Sequence, residues 1–231
     1  MKKAMRMLLV NFAVFAFAIS SLLLTGCGND SKKDSDSKKE TDKQENVSLS
    51  DKDFKIETDQ FTHDDSCYYL MTLQNNAKVP VDVSVVTKAY DASGNELNDA
   101  TDLQYAVGVG QSIALTFLFD DAEKIDSFKY ELDYRESIME PCVSDLDFKA
   151  SLKDGKVVVN ATNNTDYDCE FVQAVVLFYK GGKPVYTNSG YIGDSDNLLK
   201  AGATEEAQIS CYEEFDAYNI FYNGRKHTEE K

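Results

Sequence analysis

Tryptophan is absent from this chain of 231 residues, and histidine occurs only twice. His63 stands in "FTHDDS" and His227 in the tail, and neither belongs to a zinc-binding helix motif or lies near a nucleophile signature. Histidine-based catalysis is therefore not written into the sequence. Positive charge is also scarce, with 24 Lys and Arg against 40 Asp and Glu and a net charge of −16. Such a chain repels the phosphates of nucleic acid and stands off from anionic lipid. Long helical patterns are missing after the N-terminal run, which excludes an all-α body. Acidic pairs such as Asp120-Asp121 and Glu213-Glu214 are so common here that none marks a paired-carboxylate site. His63 with Asp64 and Asp65 reads as a solvated turn rather than a metal site. In "GDSDN", Asp194 and Asp196 alternate as calcium ligands do, but the following Gly and the distant Glu are lacking. The expectation is a protein with no metal, no cofactor and no enzymatic activity.

What is present begins at the N-terminus. Lys2, Lys3 and Arg6 precede a mostly apolar run from Met7 to Leu24, the basic and apolar regions of an export signal. The run is just long enough to span a bilayer as a helix, but Asn11, Ser20 and Ser21 weaken that alternative. Leu24-Thr25-Gly26-Cys27 resembles the lipobox of bacterial lipoproteins: an apolar residue, two small ones, then the cysteine that receives a diacylglyceryl thioether. The resemblance implies a signal peptide over residues 1–26, lipid on Cys27, and an extracytoplasmic protein held at the cell membrane. Cleavage leaves 21 basic against 40 acidic groups, a balance of −19. No basic patch assists anchoring, so acyl chains must supply it.

Residues 27–52 follow as a tether. From Gly28 to Ser50 there is no aromatic side chain, and only Val47 and Leu49 are aliphatic. Such a segment buries too little to offset its ordering entropy, and as a flexible coil it reaches roughly 25 Å.

Beyond Asp51 short apolar runs of period two alternate with Asn, Gly, Asp and Ser, the pattern of strands joined by turns. The chain also repeats itself. "YYLMTLQNNAKVPVDVSVVTKAYDASGNEL" (68–97) aligns without a gap to "KVVVNATNNTDYDCEFVQAVVLFYKGGKPV" (156–185), with Asn75, Asn76 and Gly94 opposite Asn163, Asn164 and Gly182. Each half holds about six strands, enough for a small antiparallel sandwich. The fold expected is all-β: two tandem immunoglobulin-like sandwiches over 53–136 and 144–231, joined by a linker at 137–143. That linker has few apolar residues, so a fragment from Ser144 to Lys231 is expected to fold alone.

An Asn-rich turn, a long strand ending in an apolar-aromatic-acidic group, a Gly turn and a later Gly before the next strand resemble the FxLYD family of immunoglobulin-like domains in bacterial lipoproteins. Ala89-Tyr90-Asp91 ends that motif in the first half and Leu177-Phe178-Tyr179 in the second, while Thr87 and Val175 replace its leading Phe. The resemblance implies a surface location and little about mechanism.

Four cysteines remain besides Cys27, and four allow three pairings. The repeat places Cys169 opposite Val81 and Cys211 opposite Phe119. Both fall on the inward phase, Cys169 in series with Phe171, so a Cys169–Cys211 disulfide is expected in an oxidising exterior. It would stabilise by ~4 kcal/mol in the chain-entropy model. Two free buried thiols are the alternative, and Cys67 with Cys142 could pair across the junction. Among the 13 tyrosines, Tyr179, Tyr186 and Tyr191 surround the Gly181-Gly182 turn and are the candidate ligand-binding patch; half-buried packing is the ordinary role of such residues. The leading functional expectation is a non-catalytic interaction or spacer module whose partner is an envelope protein or the cell wall. A ligand-binding accessory of an envelope complex is the alternative.

Overall fold

The structure, a computed structural model, describes residues 48–228. The expected signal peptide, Cys27 and most of the expected tether lie outside the described residues. No helix among the described residues is long and apolar enough to cross a membrane.

The first half consists of β1 (Phe54–His63), β2 (Ser66–Asn75), β3 (Val81–Tyr90), β4 (Glu96–Val107), β5 (Ser112–Phe119) and β6 (Ser127–Glu136). They form two antiparallel sheets, β1-β2-β5 and β4-β3-β6. The second half consists of β7 (Leu146–Lys153), β8 (Lys156–Asn163), β9 (Cys169–Lys180), β10 (Lys183–Tyr191), the short β11 (Leu198–Leu199), β12 (Thr204–Ser210) and β13 (Ala217–Lys226). Its sheets are β7-β8-β12 and β10-β9-β13, with β11 continuing along the edge of β9 beyond the 192–197 loop. The strand order is thus the same in both halves. The protein is an all-β fold of antiparallel sandwiches.

Alternation explains the first core. Ile113, Leu115, Phe117 and Phe119 of β5 all point inward, against Met71 and Leu73 of β2 and Val81, Val83, Val85 and Ala89 of β3. At the shared end of each sandwich, the first Asn of each turn is fully buried. The Asn75 amide donates to the carbonyls of Val79 and Val107 at 3.0 and 2.9 Å, and Asn163 donates likewise to Tyr167 and Leu199 at 2.8 and 3.0 Å. This is why Asn75 and Asn163 stand at matching places in the repeat.

The ungapped repeat fails within β9. Phe171 adopts a left-handed backbone (φ +52°), which adds a bulge to β9. Downstream of it the inward phase passes to Val172, Ala174, Val176 and Phe178, and Phe171 itself turns outward instead of facing the core beside Cys169. The true equivalence follows from matching hydrogen bonds: Asp126 N–H donates to Tyr90 O, and Asp216 N–H donates to Tyr179 O, both at 2.8 Å. The group matching Ala89-Tyr90-Asp91 is therefore Phe178-Tyr179-Lys180, one residue later than the sequence alignment has it.

On this corrected alignment Thr87 matches Val176. Thr87 is fully buried and its hydroxyl finds no hydrogen-bond partner. Removing an unsatisfied buried hydroxyl while keeping the shape is favourable. Thr87→Val is expected to stabilise the protein by about 1 kcal/mol, read as a higher urea midpoint at unchanged slope; a fall in midpoint would show the hydroxyl is satisfied.

Both sandwiches belong to one compact unit, and the contact between them is not limited to the linker. A separate apolar cluster joins the outer face of β1-β2-β5, through Phe61, Tyr68, Leu70 and Ala114, to the outer face of β9 and β13, through Val175, Leu177, Tyr179 and Phe221. Strand β2 is buried on both faces as a result.

Candidate functional site

The candidate site is a cleft of about 260 Å3 where the two sandwiches adjoin. One wall is the stretch Leu103-Gln104-Tyr105 of β4. The other is built by Phe171 and Gln173 of β9, Tyr191 at the end of β10, and Asn223 to Arg225 of β13. The bulge at Phe171 brings an aromatic ring to this surface, 43 % exposed, and Tyr191 beside it is 50 % exposed. The two rings meet edge to face at 6.3 Å.

A positive backbone angle is a genuine outlier for a bulky residue, and holding such a residue there costs of order 1–3 kcal/mol. The surroundings enforce it. Phe171 N–H donates to Asn197 O at 3.0 Å, and the Arg225 guanidinium lies over its ring at 4.9 Å and over the Tyr105 ring at 5.5 Å.

Arg225 is itself compensated. Its Nε donates to Glu170 at 2.5 Å, and the other oxygen of Glu170 lies 2.8 Å from His227 Nδ1. Burial works to raise the Glu170 carboxyl, but the hydrogen bonds from His227 and Arg225 outweigh it and hold it below the usual carboxylate range. The cleft therefore offers no uncompensated charge at its base. Neutral groups line it instead. The Asn223 amide donates to Gln104 Oε1 at 2.9 Å and to Tyr105 O at 3.3 Å, crossing between the sandwiches. Gln111 Nε2 donates to Tyr222 O at 2.8 Å, a second link across the junction. Exposed aromatic faces beside neutral amides suit a ligand with an apolar face and uncharged hydrogen-bonding groups.

The three tyrosines expected to form one patch are not together. Tyr191 borders the cleft. Tyr179 lies in the inter-sandwich groove, where burial pushes its hydroxyl up. Tyr186 meets His63 at 5.7 Å and Tyr212 at 5.8 Å, both edge to face. The irregular pairing of β10 between Pro184 and Tyr186, and the length of the strand, separate them. Phe171, Tyr105, Gln104, Asn223 and Arg225 escaped the sequence reading. The one signal for Phe171 was that Cys169, Phe171 and Val172 cannot all face inward from a regular strand.

The four described cysteines are free thiols, which corrects the expected Cys169–Cys211 bond. Strand β12 runs antiparallel to β8, with Thr204 beside Thr162 and Ser210 beside Lys156. Cys169 follows the turn at the Thr162 end, whereas Cys211 lies beyond Ser210 at the opposite end. Matching phase put both sulfurs inward but said nothing of their height in the sandwich. The Cys211 thiol donates to Glu213 O at 3.3 Å instead.

His63 lies 3.6 Å from an Asp64 carboxylate oxygen and 3.3 Å from one of Glu213, and Asp194 accepts from the N–H groups of Asp196 and Leu198 at 3.0 and 3.1 Å, closing a turn. Among the described residues no three His, Cys, Asp or Glu side chains are grouped to hold a metal ion.

No protein-family model and no curated protein matches the chain. Among solved structures it is similar to the C-terminal globular domain of oligosaccharyltransferase from Pyrococcus abyssi, with 7 % identity and a TM-score of 0.20. The match covers 76 % of this chain and 47 % of that one, so the chain spans about half the length of that protein. A likeness this slight carries no argument about activity.

Proposed function

We propose that the chain is an extracytoplasmic lipoprotein, held to the membrane through lipid on Cys27, whose joined sandwiches act as a non-catalytic interaction module. The observation that supports a binding role is the cleft, where a strained backbone holds Phe171 out toward solvent beside Tyr191 and neutral amides. Strain of this kind persists only where surrounding structure over-determines it, and it clusters at ligand contacts. The lipobox and the resemblance to FxLYD domains support the anchored location, with the tether setting the reach to an envelope protein or cell-wall component. A ligand-binding accessory of an envelope complex is the related reading, favoured by the cleft having walls from both sandwiches.

Two variants separate location from binding. Metabolic labelling with a fatty acid should mark the wild type and not Cys27→Ala, which should also lose its membrane attachment or retain an uncleaved signal; label on the variant would overturn the lipid anchor. Phe171→Gly removes the ring but accepts the left-handed backbone freely, so its stability should stay within about 1 kcal/mol of wild type. Capture from solubilised envelope should recover one stoichiometric partner with wild type and lose it with Phe171→Gly. Equal recovery with both would show that the cleft is not the binding surface, and recovery of the protein alone would favour a spacer.

A further inference from the structure

Two cysteines that the sequence did not pair share the second core. Cys142 lies on the segment between the sandwiches and Cys169 opens β9; both are fully buried and belong to the same apolar cluster. Main-chain contacts place them independently of their side chains. Cys142 N–H donates to Gly224 O at 3.3 Å, its neighbour Pro141 bridges to Arg225, and Lys226 stands opposite Cys169 in register. Gly224 leaves the space that the sulfur occupies. A Cβ added there would lie 3.3 Å from Cys142 Sγ and 3.1 Å from Val172 Cα.

The thiols act on each other. The neighbouring sulfur is the first influence on each, pushing Cys142 up and Cys169 down, and burial then adds to the rise at Cys142. Cys211 has its own partner at the far end, and Cys67 is buried in β2 of the first half.

We propose that Cys142 and Cys169 are an oxidation site, forming a disulfide that ties the junction segment to the second sandwich. The oxidant is a disulfide, from a small molecule or a dithiol oxidoreductase. One cysteine thiolate attacks it, releasing a thiolate and leaving a mixed disulfide; the second cysteine thiolate then displaces the remaining thiol. The pair loses two protons and two electrons, and the oxidant's disulfide is reduced to two thiols. Because both sulfurs are sealed from solvent, exchange belongs to folding, before the core closes. The bond would brace the cleft, since Phe171 is two residues from Cys169, and Gly224 and Arg225 flank the Cys142 contact. That oxidation occurs in the cell rests on the proposed extracytoplasmic location; the choice of pair does not.

The test is peptide mapping of the full chain, unfolded in reductant, refolded with excess oxidised glutathione, and alkylated under denaturing conditions. The expected product is one linked peptide pair containing Cys142 and Cys169, with Cys67, Cys211 and any Cys27 that carries no lipid alkylated. The same link should form in the Cys67→Ala/Cys211→Ala variant. A Cys169–Cys211 link, or alkylation of both Cys142 and Cys169 after refolding, overturns the proposal. Mapping of protein recovered from the envelope separates the two readings: a link formed in vitro but missing there supports the pair and overturns the location.

Discussion

Asn75→Ala is expected to lose about 3–5 kcal/mol of stability, because one side chain holds several buried backbone groups at once. Its amide donates to Val79 O, Val107 O and Gly108 O, and its Oδ1 accepts from Ala77 N–H, all within 2.9–3.2 Å. Asn75 is fully buried, and water cannot replace those bonds without opening the end of the sandwich. Each buried group left without a partner costs about 1–3 kcal/mol, far more than the net value of an ordinary hydrogen bond. Backbone bonds reinforce the site: Asn75 N–H donates to Gln111 O and Gly110 N–H to Asn75 O, at 2.9 and 2.7 Å. The loss should therefore spread to the turn before β5. Urea unfolding of the variant is the measurement, with Asn75→Asp as a control that keeps the acceptor and loses the donors. A loss below about 1 kcal/mol would mean the turn is held by its backbone alone.

The second large effect is expected at the contact between the sandwiches. Leu177 is 2 % exposed, yet it faces away from the second core and toward Phe61, Leu70 and Ala114. Leu177→Ala should cost about 2–5 kcal/mol, as for other buried leucines. Leu177→Asp adds an unpaired carboxylate to the same cluster, which the protein can relieve by parting the sandwiches rather than by unfolding either one. The wild type should unfold in urea in a single transition, and Leu177→Asp in two. In the variant the exposed stretch around Ile138 should become a site of faster proteolysis. A single transition retained by Leu177→Asp would show that the cluster does not couple the halves. For the same reason a fragment from Ser144 to Lys231 exposes Val175, Leu177, Tyr179 and Phe221, and its solubility is expected to improve with Leu177→Asp.

Much of the fold was legible in local pattern. Alternation located the inward residues of β5, and Asn and Gly located the turns, because a strand's two faces and a turn's backbone needs are set within a few residues. The pairing of cysteines was not legible. Phase along a strand is local, but the end of the sandwich at which a sulfur lies depends on which way each strand runs. The cleft was not legible either. It arises from a bulge that reverses the phase of β9 and from β4 and β13 being brought together by the inter-sandwich cluster.

By itself, then, the sequence determined the strands, the turns and the doubling of one sandwich pattern, together with an N-terminus that reads as an anchor. Only the tertiary structure decided that Phe171 faces solvent, that Cys142 rather than Cys211 adjoins Cys169, and that two sandwiches share an apolar face. The physical reason is range. Backbone preference and hydrophobic period act over neighbouring residues, whereas a bulge, a sulfur contact and a covered sheet face are settled by residues tens of positions away that compete for the same buried volume.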